Sequence, residues 1–255
     1  MDAETHLAES AAEQPAQRGH RRGAAAPGWI PLVVATTAVT AVADLLAMAL
    51  QRSIIPPVLI GALMSLAALG LLRWRERAGL ITIGVLTVAI ILTGAPFASP
   101  ALGHPDSPIG FTHSAAYLIG RGLVLLAVLG ALFSRSERAA RIATVVTASA
   151  GLVILGVAAV ATITRADTPM ADGDIPVVAD RFDFTDVTAP AGATLYVENN
   201  DTVRHRLAIA GTDIDLDLAA GTGTRVPTDL RPGEYDMFCN ITGHDGMLGH
   251  LTVTE

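Results

Sequence analysis

Four side chains near the end of the chain have the types and spacing to do chemistry. Cys239, His244 and Met247 stand in the run Phe238-Cys239-Asn240-Ile241-Thr242-Gly243-His244-Asp245-Gly246-Met247, a C-x4-H-x2-M spacing. His205 lies upstream, a few residues after Asn199-Asn200-Asp201. One thiol, two imidazoles and a thioether are the donors of a mononuclear blue-copper electron-transfer centre. A thiolate and two imidazoles in a plane suit both oxidation states of the ion, while a long axial thioether suits the reduced one. One electron can then come and go with little rearrangement. A binuclear copper site needs a second cysteine, and Cys239 stands alone. Zinc shares Cys and His ligands, but structural zinc sites are rarely completed by methionine. The lone cysteine also excludes a disulfide framework. Asn240-Ile241-Thr242 is a formal glycosylation sequon, read as incidental because a glycan would crowd the loop.

The elements that must hold these residues read as short strands. Ile175–Ala179, Arg181–Phe184, Thr194–Glu198, His205–Ile209, Ile214–Leu218, Glu234–Cys239 and His250–Thr254 alternate or run apolar between turn signals. Those signals are Pro190-Ala191-Gly192, Asn199-Asn200-Asp201 and Arg231-Pro232-Gly233. Such spacing predicts an antiparallel sandwich or barrel. Asp213, Asp215 and Asp217 alternate with apolar residues, as on a strand exposing one face, rather than as a calcium loop.

From about Ile175 to Glu255 the sequence resembles the cupredoxins, the plastocyanin and azurin type of blue-copper domain. The resemblance rests on Pro190-Ala191-Gly192, the Asn199-Asn200-Asp201 turn before His205, Pro232-Gly233-Glu234-Tyr235, Phe238-Cys239, Gly243-His244 and Gly246-Met247-Leu248-Gly249. It implies an all-β Greek-key sandwich holding one type 1 copper. His205, Cys239 and His244 would be the equatorial ligands and Met247 the axial one. One departure is Arg206, where the family usually has an asparagine whose hydrogen bonds tie the two ligand loops together. The environment that orients the ligands is expected to differ accordingly.

The preceding part has a different composition. Of 255 residues 51% are hydrophobic and 16% charged, against about 25% charged in a typical soluble chain. The apolar residues concentrate in five runs: Trp29–Leu50, Ile54–Leu72, Leu80–Ala98, Ser114–Phe133 and Ile142–Thr164. At 1.5 Å per residue each can cross about 30 Å of hydrocarbon, and only helices satisfy the backbone there. A wholly soluble enzyme is excluded. The expected organisation is a tail over residues 1–28, disordered and cytoplasmic, a five-helix transmembrane bundle over 29–164, a linker over 165–173, and the copper domain over 174–255.

Arginines orient the bundle. Arg18, Arg21 and Arg22 precede the first helix; Arg73, Arg75 and Arg77 follow the second; Arg135, Arg138 and Arg141 follow the fourth. The other loops carry Arg52 alone. Positive-inside counting places the N-terminus in the cytoplasm and everything after Thr164 outside the cytoplasmic membrane. Arg21-Arg22 and Ala41-Val42-Ala43 imitate a cleaved signal peptide, but the apolar run continues to Leu50, as in a spanning helix.

Asp44 and Arg121 lie within the spans, each ~10 Å below the outer surface. Charges in lipid are costly and pair, so an Asp44–Arg121 ion pair is expected, as a packing device that fixes helix neighbours, with part of a site open to the outside as the alternative. No histidine falls within the five runs, which argues against haem in the bundle. His104 and His113 flank Asp106 in the outer loop; loop histidines are usually solvated, and a metal role stays open.

From Ala166 onward there are 16 acidic residues against 5 arginines, a formal charge of −11. That field would attract basic redox partners or copper-delivering species. With no lysine and no basic patch, nucleic acid is not an expected partner. The expectation is a membrane-tethered carrier of single electrons, not itself an enzyme, with the bilayer and a redox protein or membrane complex as partners. The alternative is copper handling, in which the domain captures, buffers or senses copper and the bundle transports or signals. Met48 and Met64 are the only methionines in the bundle, few for a copper path.

Overall fold

A computed structural model describes residues 28–255. The expected tail therefore lies, except for Gly28, outside the described residues. Six α-helices come first: α1 (Trp29–Leu50), α2 (Pro56–Trp74), α3 (Glu76–Ala98), α4 (Pro108–Ala115), α5 (Arg121–Phe133) and α6 (Glu137–Thr164). A π-helical turn, Ala116–Gly120, joins α4 to α5 without a break. Five spans are thus long and apolar enough to cross a membrane, the fourth being Pro108–Phe133.

Trp29, Leu32, Val33, Leu72, Leu80, Ile83, Val124 and Val128 form the core of the bundle. Leu152, Val153, Val160 and Ile163 on α6 and Leu92 on α3 face outward, as expected where lipid replaces water around a bundle. Helix α6 is capped by Ser136, whose Oγ accepts the Ala139 N–H at 3.2 Å, a normal N-cap.

The fourth span corrects the sequence reading. It starts at Pro108, six residues earlier than the expected Ser114, because Pro at a helix start is pre-organised for it. His113 is therefore helical and within the span, not in a loop. Its Nε2 lies 3.2 Å from Asp44 Oδ1. The depth of Asp44, expected to hold no histidine, holds one. The structure brings Asp44 and Arg121 into contact as well, with 0% and 4% of their side chains exposed. The Arg121 guanidinium lies 4.3 Å from the Tyr117 ring centroid. Tyr117 in turn donates to the Ile90 carbonyl at 2.7 Å. Gly94 makes this approach possible, since a Cβ there would sit 1.9 Å from Tyr117 Oη.

Nine strands follow: β1 (Ile175–Asp180), β2 (Asp183–Phe184), β3 (Val187–Pro190), β4 (Thr194–Asn199), β5 (His205–Ile209), β6 (Asp215–Leu218), β7 (Gly223–Pro227), β8 (Gly233–Phe238) and β9 (Leu248–Thr254). They form two sheets, β2-β1-β4-β7 and β3-β9-β8-β5-β6. Strands β3 and β7 were not expected; Val187–Pro190 and Gly223–Pro227 are short and carry Pro and Gly, which weakens the alternation signal. Nor is the sandwich wholly antiparallel, because β1 pairs with β4 and β3 with β9 in parallel. Such pairs need a crossover rather than a hairpin, and local sequence does not display one.

Between the sheets lie Val177, Leu195, Val197, Leu207, Ile209, Leu218, Met237, Leu251 and Val253. Residues 165–173, the expected linker, are tied down. Thr168 N–H donates to the Gly223 carbonyl at 3.0 Å, Asp167 Oδ1 accepts the Gly223 N–H at 2.9 Å, and Arg165 donates to the Gly221 carbonyl at 3.2 Å. The sandwich also touches the segment that joins α3 to α4. Ala220 N–H donates to Ser107 Oγ at 3.0 Å in a buried bond, and His104 Nδ1 lies 3.8 Å from Asp217.

Candidate metal centre

Strand alternation sets the first donor. On β5, His205 points inward and is fully buried, while Arg206 points outward. Cys239 follows β8 immediately, and the loop after it folds back in two tight turns. His244 N–H donates to the Ile241 carbonyl at 2.9 Å, Met247 N–H to the His244 carbonyl at 2.8 Å, and Cys239 N–H to the Met247 carbonyl at 3.1 Å. Gly243, at φ 92°, supplies the left-handed residue this reversal needs. His205 Nδ1 and His244 Nδ1 come within 3.1 Å of each other, and Cys239 Sγ lies 3.4 Å from His244 Nδ1.

Ligand-type atoms of His205, Cys239 and His244 all fall within 4.8 Å, the one such His, Cys and carboxylate cluster among the described residues. Met247 is buried in the same apolar cluster as Cys239. His250 is not part of the site: its ring faces Asp236 across β8 and β9 at 3.0 Å, on the exposed side. His104 and His113 join no metal-type cluster among the described residues.

Asp201 organises the surroundings. Its Oδ2 lies 2.8 Å from His205 Nε2. A carboxylate only accepts, so Nε2 carries the proton and Nδ1 presents a lone pair to the site. The same carboxylate accepts the Arg181 N–H at 2.9 Å and the Phe182 N–H at 3.0 Å. Arg181 and Phe182 are the two-residue turn between β1 and β2, at φ 55° and 61°. Both central residues of such a primed turn need positive φ, which Asn-Gly adopts easily and Arg-Phe does not. The turn sets the Phe182 ring edge-on to both histidines, with centroids 5.2 Å from His205 and 4.9 Å from His244.

Arg206 leaves no gap. Its backbone N–H donates to Cys239 Sγ at 3.4 Å, and its guanidinium reaches Asp215 at 2.7 Å. The tie to the second loop is thus the Arg206 N–H itself, while buried Asn199 braces its own loop against the end of β6, its Nδ2 donating to the carbonyls of Val203 at 2.9 Å and Leu218 at 3.0 Å. The Asn199 Oδ1 accepts the Asp201 N–H at 3.0 Å. The acidic alternation on β6 is balanced by arginines, Asp215 by Arg206 and Asp217 by Arg204.

Burial lowers the His205 pKa against the opposing pull of Asp201. Burial first, then the neighbouring His205, pushes His244 down to about 4. Near neutral pH both rings are uncharged, so two imidazole lone pairs and a sulfur converge in one buried space. That donor chemistry fits a single soft or borderline metal ion. Sequence reasoning passed over Asp201 as a ligand-orienting group and missed Phe182. The i, i+4 spacing of Asp201 and His205 was the available signal for the first; for Phe182 there was none, because its role depends on the turn.

This sandwich with its His-Cys-His cluster defines a cupredoxin-like domain. Residues 151–253 match the family model of the cupredoxin-like domain, starting within α6, and the C-terminal third of the chain is such a domain. Similar solved structures include a reduced amicyanin variant, at 25% identity over 33% of this chain and 86% of its own, TM-score 0.29. A purple cupredoxin from Nitrosopumilus maritimus aligns at 18% identity over 32% of this chain and 100% of its own, TM-score 0.28. A copper-containing nitrite reductase from Thermus scotoductus SA-01 aligns at 25% identity over 34% of this chain, TM-score 0.28. This chain spans only 25% of that enzyme's length. No curated protein matches.

Proposed function

We propose that the chain is a membrane-anchored type 1 copper protein that carries single electrons on the outer face of the cytoplasmic membrane. The observation that carries this reading is the convergence of His205, Cys239 and His244 inside a cupredoxin-like domain. In it these three residues would hold the ion, with Met247 as the fourth donor. Bound copper supplies a one-electron couple. Asp201 fixes the His205 tautomer, Arg206 N–H lowers electron density on the Cys239 sulfur, and Phe182 keeps water from the two rings. The five spans and the arginine distribution support a multi-pass anchor with the domain outside.

A carrier reading is preferred to an enzyme because the site has three close-set donors and no second metal-type cluster among the described residues. Potentiometric titration of the copper-loaded full-length protein in detergent tests it. The expected result is one reversible wave with n = 1 and copper retained in both states. Release of the ion on reduction would overturn the carrier reading in favour of copper handling.

A further inference from the structure

The domain's ligand end is turned toward the outer ends of α3 and α4. A Cβ at Gly243, next to His244, would lie 3.5 Å from the Phe97 ring, and one at Gly110 would lie 3.8 Å from Val203, two residues before His205. Phe97 is 60% exposed although it sits at the end of a membrane span. Helix geometry places a base at the same depth on the neighbouring span. Gly94 on α3 meets Tyr117; one turn further outward on the two helices come Phe97 and His113, at the same depth.

His113 is the open end of a buried network. Its side chain is 17% exposed, while Asp44 behind it is 0% exposed and paired with Arg121. With Nε2 facing Asp44 and donating to it, Nδ1 has no protein partner among the described residues and is free to accept a proton. Electron carriage by copper does not by itself need an aromatic face and a carboxylate-backed base at the edge of the bilayer. A reductant that loses protons with its electrons does need them.

We propose that the gap bounded by Phe97, His113 and the Gly243–His244 loop is where a lipid-soluble hydroquinone binds and is oxidised. This rests on the electron-carrier reading and names its donor. The planar ring lies against Phe97, and a hydroxyl hydrogen-bonds to His113 Nδ1. As the O–H bond breaks, the proton goes to Nδ1, the imidazolium is held by Asp44, and one electron goes to an oxidised centre in the domain. A second O–H bond breaks in the same way against a second oxidised centre. One hydroquinone thus reduces two Cu(II) to two Cu(I), gives one quinone, and releases two protons through His113 to the outer aqueous phase.

Two measurements on the full-length protein in phospholipid vesicles test this. In the copper-free protein, a photoactivatable azido-benzoquinone should label peptides containing Phe97 or the Gly243–His244 loop. Labelling should be competed by decyl-benzoquinone and reduced at least fivefold by Phe97→Ala. Label spread over lipid-facing α6 and absent from those peptides would overturn the site, whatever the copper does. In the loaded protein, decyl-benzohydroquinone should bleach two centres per molecule, and His113→Gln and Phe97→Ala should each slow this at least tenfold. Reduction by the water-soluble, one-electron reductant ferrocyanide should keep its rate in both variants. Equal hydroquinone rates in wild type and variants, or faster reduction by a basic ferrous cytochrome with no hydroquinone reaction, would overturn the proposal. Labelled peptides together with a centre that no reductant bleaches would instead overturn the carrier reading on which the oxidation step depends.

Discussion

Replacing Asp44 by alanine is expected to destabilise the helical bundle by about 3–5 kcal/mol, the usual cost of leaving a buried charge without its partner. Arg121 would keep the Tyr117 ring, 4.3 Å away, but no anion. One of its terminal nitrogens, Nη1, already lacks a hydrogen-bond partner. In a bilayer, hydrocarbon would surround the bundle here, and water could not substitute without thinning the bilayer or drawing the side chain outward. His113 would lose its carboxylate in the same step. If Arg121 is also changed to methionine, the residual charge disappears, and the double variant is expected to recover much of the loss. Titration with sodium dodecyl sulfate, followed by Trp29 fluorescence in the bundle core, measures wild type, Asp44→Ala, Arg121→Met and the double variant. A double variant as unstable as the sum of the two single changes would show that the two residues are not energetically coupled.

Asp201→Ala is expected to cost about 2–4 kcal/mol of domain stability, because hydrogen bonds to a charged acceptor contribute ~1.5–3 kcal/mol each and are not additive. Three are lost together: those from Arg181 N–H, Phe182 N–H and His205 Nε2. Two adjacent residues with left-handed backbone, each costing about 1–2 kcal/mol, would then be held without their clamp. Asp201→Asn separates the structural part from the chemical one. With the amide oxygen kept on the Arg181 N–H, the amide nitrogen takes the place of Oδ2, loses the Phe182 bond and faces Nε2, which favours the proton on Nδ1. Copper affinity is therefore expected to fall about 10–100-fold, the range seen when the group orienting a ligating histidine is removed. Competition titration measures the affinity, and ¹⁵N chemical shifts of the copper-free protein report the tautomer. An Asn variant with wild-type affinity and the proton still on Nε2 would remove Asp201 from the account.

The legible parts of this chain were those whose signal is periodic or local. Trp29–Leu50 was read to the residue because a span of apolar helix needs no partner to declare itself. His205–Ile209 was read because a short apolar-rich run between turn signals marks a strand, although Leu207, Ala208 and Ile209 are all buried rather than alternating. The Cys239–Met247 loop was picked out by residue types at fixed spacing, and the structure brings its Cys239 and His244 together with His205. What was hidden depends on elements meeting. His113 read as a loop residue until Pro108 opened a helix six residues before the apolar run. The parallel pairing of β3 with β9 joins residues more than sixty positions apart, and β3 is too short to show a period. Asp201 and Phe182 acquire their roles only when the β1–β2 turn arrives beside β5. Arg206 looked like the loss of a structural tie; its backbone N–H still reaches Cys239 Sγ, and its side chain meets Asp215, which shows why an arginine is tolerated there.

The most direct test of the account is the optical and electron paramagnetic resonance spectrum of the full-length protein, in detergent, loaded with one equivalent of Cu(II). The account predicts an intense visible thiolate-to-copper band with narrow hyperfine splitting, which Cys239→Ser abolishes. A pale, tetragonal spectrum that survives Cys239→Ser, or no stoichiometric binding, would contradict it.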